Sequence, residues 1–304
     1  MKAAKVIATC FKPKEIIEKT RLSGNPLGYF YHSQRFTNDD EIINLLNLII
    51  ELENKHDPGC DRDLIFVNAN VNSSRGNSFI SEINNQKVNR GKIIAYTRDN
   101  FGLSFGSYND AFQKYKENYD YFLFTEDDWL IFKDNYLKIG IDLFQNNPKT
   151  GMIAYVGLTK INKSRWEELK LNKNTAYGCH GGIGLSSTKI LKQIENKFGH
   201  LPHYNKDDYK KSITYGELRF PNSFIQIGYN LINLPTNLIL GMPAYDYQRG
   251  IKYKKFPNFF DLLRDYYFLI LKRKVGKAIW NFVSNNNFLK YMYLRFINFI
   301  KQKK

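Results

Sequence analysis

The stretch that decides the fold is residues 121–128, which read Tyr-Phe-Leu-Phe-Thr-Glu-Asp-Asp. Five apolar or β-favouring residues in a row predict a strand that is buried on both faces. Three carboxylates, Glu126, Asp127 and Asp128, follow this strand directly and are called the acidic triplet below. In open α/β sheets, ligands bind beyond the carboxyl ends of the strands. The stretch therefore predicts a site at the end of a buried strand.

Similar apolar runs lie upstream, at residues 5–10, 63–68 and 92–96. Apolar residues at helical spacing predict a helix over 39–52, and a second helix is expected from about 107 to 117. Strands that alternate with helices are typical of a mainly parallel sheet with helices on both faces. We therefore expect an α/β fold.

The chain of 304 residues has a formal net charge of +16, from 45 Lys and Arg against 29 Asp and Glu. Such a surplus favours nucleic acid, anionic lipid or a phosphate-bearing substrate as the partner. The surplus is uneven, because residues 251–304 hold 13 basic and 2 acidic residues. We therefore expect a catalytic domain over 1–250 and a basic, aromatic helical tail over 251–304.

The tail combines apolar residues at helical spacing with basic clusters at 272–274 and 301–304. This combination is typical of a helix that lies on a membrane surface. Each Lys or Arg near an anionic leaflet contributes about 1 kcal/mol to such binding. Alternatively, the apolar faces pack on the protein's own core and the basic residues are merely solvated. The sequence leaves both interpretations open.

The sequence also bears on location. The N-terminus has no apolar run long enough for a signal peptide, and no stretch approaches the roughly 18 apolar residues of a membrane-spanning helix. Three scattered cysteines, Cys10, Cys60 and Cys179, do not form the pattern of a disulfide scaffold, which favours a reducing compartment. We expect a cytoplasmic protein bound peripherally to the cytoplasmic face of the membrane.

Three consecutive carboxylates repel one another unless solvent screens them or a divalent cation binds them. Mg²⁺ and Mn²⁺ take carboxylate oxygens together with substrate phosphates, so a metal site is one interpretation of the acidic triplet. A solvated acidic turn is the other. The triplet alone does not decide between them.

The region before the triplet resembles the nucleotide-sugar-binding half of the GT-A glycosyltransferases, specifically the inverting family 2. That family has an Asn-x-Gly loop, a helix with small residues, and an apolar strand that ends in an Asp-x-Asp motif. Glu126 stands where the family has the first Asp. The match in the loop and helix is carried by Asn100, Gly102, Gly106, Asn109 and Ala111.

The resemblance implies roles for the acidic residues. Asp128 would hold the Mn²⁺ or Mg²⁺ that bridges the donor diphosphate, and Glu126 would contact the donor ribose or the waters of the metal. Residues 176–187 resemble the small-residue segment that lines the sugar pocket. Residues 214–220 resemble the acidic motif, in which Glu217 takes the place of the catalytic base.

Donor binding is implied at the strand ends and in the glycine-bearing segments. For His180, a structural hydrogen bond in its turn is the alternative. The implied donor-binding residues are Thr9, Asn68, Asn70, Asp99, Gly102, Asn109, Glu126, Asp127, His180, Gly181 and Gly182.

The implied activity is transfer of a sugar from a UDP-, GDP- or dTDP-sugar to a glycan or lipid-linked acceptor. The reaction would be a metal-dependent single displacement with inversion, in the assembly of bacterial-type surface polysaccharide or lipopolysaccharide. Two alternatives stay open: a nucleotidyltransferase on a similar sheet, and a basic nucleic-acid-binding protein. Residues 9–13 lack the Gly-rich signature of the former, and the long apolar faces of the tail suit lipid better than nucleic acid. We expect no nucleic-acid partner.

Overall fold

The computed structural model describes residues 1–11, 39–160, 177–204, 209–235 and 241–243. The strands are β1 Lys2–Thr9, β2 Asp61–Asn68, β3 Lys87–Val88, β4 Gly91–Thr97, β5 Tyr121–Glu126, β6 Trp129–Ile131, β7 Thr150–Ala154, β8 Leu158–Lys160, β9 Tyr177–Cys179, β10 Gly184–Ser187, β11 Asn230–Asn233 and β12 Gly241–Pro243. The helices are α1 Asp39–Lys55, α2 Ser74–Ile83, α3 Leu103–Tyr115, α4 Tyr136–Gln145, α5 Thr188–Phe198 and α6 Tyr209–Gln226, with a 3-10 turn at His180–Gly182.

Eight of these strands form one sheet in the order β11-β7-β10-β5-β1-β2-β4-β3. The pairs β1–β2, β1–β5, β2–β4 and β7–β11 are parallel. β10 runs antiparallel between β5 and β7, and β3 is an antiparallel edge. The expected α/β class, with a mainly parallel sheet flanked by helices, is confirmed. The predicted boundary at residue 250 and the predicted helical tail lie outside the described residues.

The side chains of β5 show how the sheet is covered on both faces. Phe122 packs against Phe112 of α3, with ring centroids 5.5 Å apart. Its neighbour Tyr121 packs against Phe144 of α4 at 5.9 Å. Because successive side chains of a strand point to opposite faces, α3 and α4 lie on opposite sides of the sheet. A strand of this kind is apolar throughout, as the sequence predicted.

Helix α3 begins at Leu103, four residues before the predicted start at 107. Gly102 lies in the left-handed region with a φ of +70°, and its carbonyl accepts the first helical hydrogen bond from the Gly106 N–H at 2.9 Å. Two glycines in the first turns weaken the helical signal of the sequence. The earlier start places Ser104 on the helix, where it faces the end of β5.

A buried ion cluster ties α1 and α4 to the sheet. Glu53 Oε1 accepts from Lys5 Nζ at 2.5 Å, and its Oε2 accepts from Arg62 Nη2 at 2.7 Å and from the Tyr136 hydroxyl at 2.6 Å. Burial lowers the pKa of Lys5. Burial alone would raise the pKa of Glu53, but the two cations more than offset it and lower the pKa. The carboxylate therefore holds two strands and two helices together.

Among the described helices, none has the length and apolar character that a membrane-spanning helix requires.

We expect Glu53→Gln to destabilise the fold by about 3–5 kcal/mol, because it leaves the Lys5 and Arg62 charges buried without a counter-charge. Urea unfolding followed by circular dichroism measures the change. Asp142→Asn is the control, since it removes an exposed pair with Lys138 and is expected to change stability by less than about 1 kcal/mol. Equal effects of the two substitutions would contradict a stabilising role for the cluster.

Candidate active site

Four parallel strands end at one edge of the sheet, and the acidic triplet lies there. In the register of β1 with its neighbours, Ala8 pairs with Glu126 and Thr9 pairs with Asn68. Neighbouring strands are about 4.8 Å apart, so these residues form a row along the edge. The residues predicted to form a site at the end of a buried strand therefore lie along an edge of the sheet where several strands end.

Asp127 is directed back toward β1. Its Oδ2 accepts a hydrogen bond from Thr9 Oγ1 at 2.6 Å, and its N–H donates to the Ala8 carbonyl at 3.0 Å. These contacts fix the turn that follows β5. The structure thus brings Thr9 and the acidic triplet together.

Glu126 is a half-buried carboxylate in an unfavourable environment. Burial raises its pKa from the ordinary value of 4.5 to about 7, and repulsion from Asp128 and Asp127 adds to the effect. A hydrogen bond that Ser104 Oγ donates to Glu126 Oε1 at 2.5 Å opposes the rise, as does the charge of His180. The end of β5 therefore stores electrostatic repulsion that a cation would relieve.

Gly181 lies against Glu126 and leaves no room for a side chain. Its φ is +59°, and a Cβ placed on it would be 2.6 Å from Glu126 Oε2. The hydroxyl of Tyr108 donates to the Gly181 carbonyl at 2.8 Å. Ser104 and Tyr108 are four positions apart on α3 and therefore share one helix face. This face holds both the carboxylate and the glycine turn.

His180 and Glu217 meet at the same turn. His180 Nδ1 and Glu217 Oε1 are 2.8 Å apart, and the Gly181 N–H donates to the same oxygen at 3.3 Å. The hydrogen bond with Glu217 raises the pKa of His180, and the charges of Glu126 and Asp128 act in the same direction. Two candidates from separate segments of the sequence thus form one hydrogen-bonded pair beside the triplet.

Asn68 is placed differently from its expected role in donor binding. It is completely buried, and its Oδ1 accepts from the N–H groups of Phe11 and Asn70 at 3.3 and 3.2 Å. Its Nδ2 donates to the Asn70 carbonyl, to Asn77 and to Thr97. All its polar atoms are engaged within the protein, so Asn68 holds the loops at the edge together and leaves no atom for a nucleotide.

Asn109 and Gly102 also take structural positions. Asn109 Oδ1 accepts from the Leu201 N–H at 2.9 Å. Because Asn109 is five positions after Ser104, it is about 140° around α3 from the face that meets Glu126. A Cβ on Gly102 would be 2.9 Å from His203 Cδ2, so this glycine allows the loop to pack closely.

Of the remaining implied donor-binding residues, two have contacts within the protein and one is exposed. Gly182 packs on the core, since a Cβ there would be 2.6 Å from Phe105 Cε1. Asn70 is half-buried; its Nδ2 donates to the Phe11 carbonyl and its Oδ1 accepts from Asn72. Asp99 is exposed two residues after the end of β4.

Ser104 and Tyr108 are not among the residues predicted from the sequence. Both lie inside the Asn-x-Gly loop and helix segment, at a spacing of four. That spacing would have placed them on one face if the helix had been predicted from Leu103. Their contact with the end of β5 and with a turn 73 residues further along the chain is visible only in three dimensions.

The residues present fit a cation that is shared with a phosphate-bearing ligand. Within the described part of the chain, no group of three or more His, Cys, Asp or Glu is placed to hold a metal by itself. Mg²⁺ is usually bound by one or two carboxylates plus substrate phosphates. Glu126 and Asp128 supply such a pair, and their mutual repulsion favours a cation between them.

Comparison with solved structures gives distant likenesses, among them two enzymes. No family model and no curated protein matches the chain. A CMP:2-keto-3-deoxy-manno-octonic acid synthetase, solved with CTP, has a TM-score of 0.40 and 10% identity over 77% of this chain and 89% of its own. Mannosyltransferase PcManGT from Pyrobaculum calidifontis, solved with GDP-Man and Mn²⁺, has a TM-score of 0.35 and 11% identity. That match covers 82% of this chain and 59% of the mannosyltransferase, and neither likeness carries an argument about activity.

We expect Glu126→Gln to stabilise the protein at about pH 8 by about 2 kcal/mol and to have little effect near pH 5. The raised pKa means that the native carboxyl favours its proton, so stability is lost as pH rises from the ordinary value through about 7. Gln does not ionise and still accepts from Ser104. Thermal unfolding at the two pH values measures the difference.

The matched control for this experiment is Glu82→Gln, which changes an exposed carboxylate on α2. It should leave the melting temperature unchanged at both pH values. A loss of stability in Glu126→Gln at about pH 8 would contradict the proposed repulsion.

Proposed function

We propose that this chain is a metal-dependent glycosyltransferase that moves a sugar from a nucleotide-diphosphate donor to an acceptor hydroxyl with inversion. The observation that carries the proposal is that Gly181 lies against both Glu126 and the His180–Glu217 pair. Glu126 lies on one side of this glycine, and the His180–Glu217 pair is bound on the other. Carboxylates that suit a cation and diphosphate are thus next to a pair that can accept a proton.

In this proposal Asp128, with Glu126, would hold Mn²⁺ or Mg²⁺. Such a cation, when bound, neutralises negative charge on the departing diphosphate. The His180–Glu217 pair removes the proton of the acceptor hydroxyl, whose oxygen attacks the anomeric carbon as the bond to the diphosphate breaks. Thr9 keeps Asp127 turned toward β1, and Ser104 keeps Glu126 at the edge.

The same arrangement supports sugar transfer over nucleotidyl transfer to a sugar phosphate. A nucleotidyltransferase that couples a nucleoside triphosphate to a sugar phosphate uses a nucleophile that is already ionised. An alcohol acceptor requires a base in the transition state, because a hydroxyl is a poor nucleophile while protonated. The hydrogen-bonded pair at His180 and Glu217 supplies this function.

The test is a screen for slow hydrolysis of UDP-, GDP- and dTDP-sugars by the full chain with Mn²⁺ or Mg²⁺. We expect one class of donor to be hydrolysed, and Asp128→Asn to lower the rate at least about 100-fold, because the cation that would neutralise the departing diphosphate loses a charged ligand. Released nucleoside diphosphate is measured by chromatography.

The control is Asp61→Asn, which changes an exposed carboxylate at the opposite end of the sheet and should keep full activity. Circular dichroism confirms that Asp128→Asn is folded. Consumption of CTP or UTP with release of pyrophosphate, in place of sugar-nucleotide hydrolysis, would identify a nucleotidyltransferase and overturn the proposal.

The proposal extends to location and acceptor. The basic and aromatic composition of residues 251–304 supports binding to an anionic membrane surface, where a lipid-linked or surface-glycan acceptor would be found. The structure does not describe these residues, so the proposal rests on their sequence.

We expect the full chain to float with phosphatidylcholine vesicles that contain phosphatidylglycerol and to remain unbound with phosphatidylcholine alone. Replacing Lys272, Arg273 and Lys274 by Gln should weaken binding at least tenfold, since each charge contributes about 1 kcal/mol. Replacing Lys87, Lys92 and Lys114 of the catalytic domain by Gln removes the same charge and serves as control. Tight binding to DNA with no binding to vesicles would contradict this location.

A further inference from the structure

The His180–Glu217 pair contains two groups that can accept a proton, and their contacts differ. Glu217 Oε1 already accepts two hydrogen bonds, from His180 Nδ1 at 2.8 Å and from the Gly181 N–H at 3.3 Å. The Glu217 side chain is 25% exposed, whereas that of His180 is 67% exposed. The carboxylate is therefore held inward by the turn, and the imidazole is the member presented to the open edge.

The hydrogen bond also determines which imidazole nitrogen is basic. A carboxylate can only accept a hydrogen bond, so Nδ1 of His180 carries the proton that it donates to Glu217. In the neutral ring Nε2 then has the free lone pair. This arrangement directs the basic nitrogen away from Glu217.

The surroundings of His180 suit a proton acceptor that becomes charged. Three carboxylates act on it: Glu217 on α6, Glu126 at the end of β5, and Asp128 in the turn after β5. Glu217, whose hydrogen bond is the largest of these effects, favours the imidazolium that forms when Nε2 takes a proton, and it does so with or without a cation at Glu126 and Asp128. The Tyr108 hydroxyl donates a hydrogen bond to the Gly181 carbonyl and so holds the turn. The backbone that carries the imidazole is therefore fixed in position.

We propose that Nε2 of His180 is the atom that accepts the acceptor's proton, and that Glu217 is a positioning residue that holds the imidazole. This inference rests on the proposed glycosyl transfer and identifies how that site works. The acceptor O–H bond breaks and its proton bonds to Nε2. The acceptor oxygen forms a bond to the anomeric carbon, and the electrons of the breaking C–O bond stay on the diphosphate. Glu217 remains a carboxylate throughout.

The kinetic test compares His180→Ala, Glu217→Gln and a control, His56→Ala. His56 is also paired with a carboxylate, since its Nδ1 is 3.2 Å from Asp134, but it lies outside the site. With the donor found in the screen and an alcohol acceptor, we expect His180→Ala to lower kcat about 100-fold or more. Added imidazole should raise the kcat of His180→Ala about tenfold, because removal of an exposed side chain leaves space that a free base can enter. His56→Ala should retain full activity and show no response to imidazole.

Glu217→Gln separates positioning from direct proton transfer. Gln can still accept from Nδ1 but carries no charge, so kcat should fall by only about tenfold with KM unchanged, and the acidic limb of the pH–rate profile should move to lower pH. Complete loss of activity in Glu217→Gln, together with near-normal activity in His180→Ala, would overturn the inference and make Glu217 the base.

A measurement without substrate keeps this inference separate from the proposed function. In the full chain with nitrogen-15-labelled histidine, the His180 signals are assigned by their loss in His180→Gln. We expect the neutral ring to carry its proton on Nδ1. A proton on Nε2 would overturn the inference even if sugar transfer is shown. If no nucleotide sugar is turned over, the proposed function fails, and with it the role of Nε2 in sugar transfer.

Discussion

The antiparallel strand β10, inserted between the parallel strands β5 and β7, is the constraint on which the site depends. Its register places Gly184 opposite Phe124, so the chain that leads into β10 passes beside the end of β5. This brings the 3-10 turn at His180–Gly182 next to the acidic triplet. A parallel strand at the same position would begin at the other end of the sheet and leave the triplet without these neighbours.

The fold holds two carboxylates in opposite electrostatic environments. In the candidate site, Glu126 has a raised pKa and receives its hydrogen bond from Ser104, so its charge is poorly compensated. In the buried ion cluster, Glu53 is held by Lys5 and Arg62 and its pKa is lowered. The second arrangement stabilises the fold. The first is retained against stability, which is typical of a functional site.

The sequence predicted the elements better than the contacts between them. The apolar runs located β1, β2, β4 and β5 to within a few residues, because a doubly buried strand has no polar face. The start of α3 was missed, since Gly102 and Gly106 weaken the helical pattern. The bond between His180 and Glu217 joins residues 37 positions apart, and no local pattern encodes it. Asn68 is a residue type that often contacts ligands, but its buried structural role depends on contacts with distant parts of the chain, namely Phe11, Asn77 and Thr97.

The position of β5 in the sheet also matters while the chain is being made. β1, β2, β3 and β4 lie within the first 97 residues and can pair before β5 is synthesised. When β5 joins β1, the other backbone edge of this apolar strand stays unpaired until β10 arrives, and 57 residues lie between the end of β5 and the start of β10. At the usual rate of translation this interval is roughly 3–12 s. For that time a nascent chain presents an apolar edge strand of the kind that chaperones bind and that promotes aggregation.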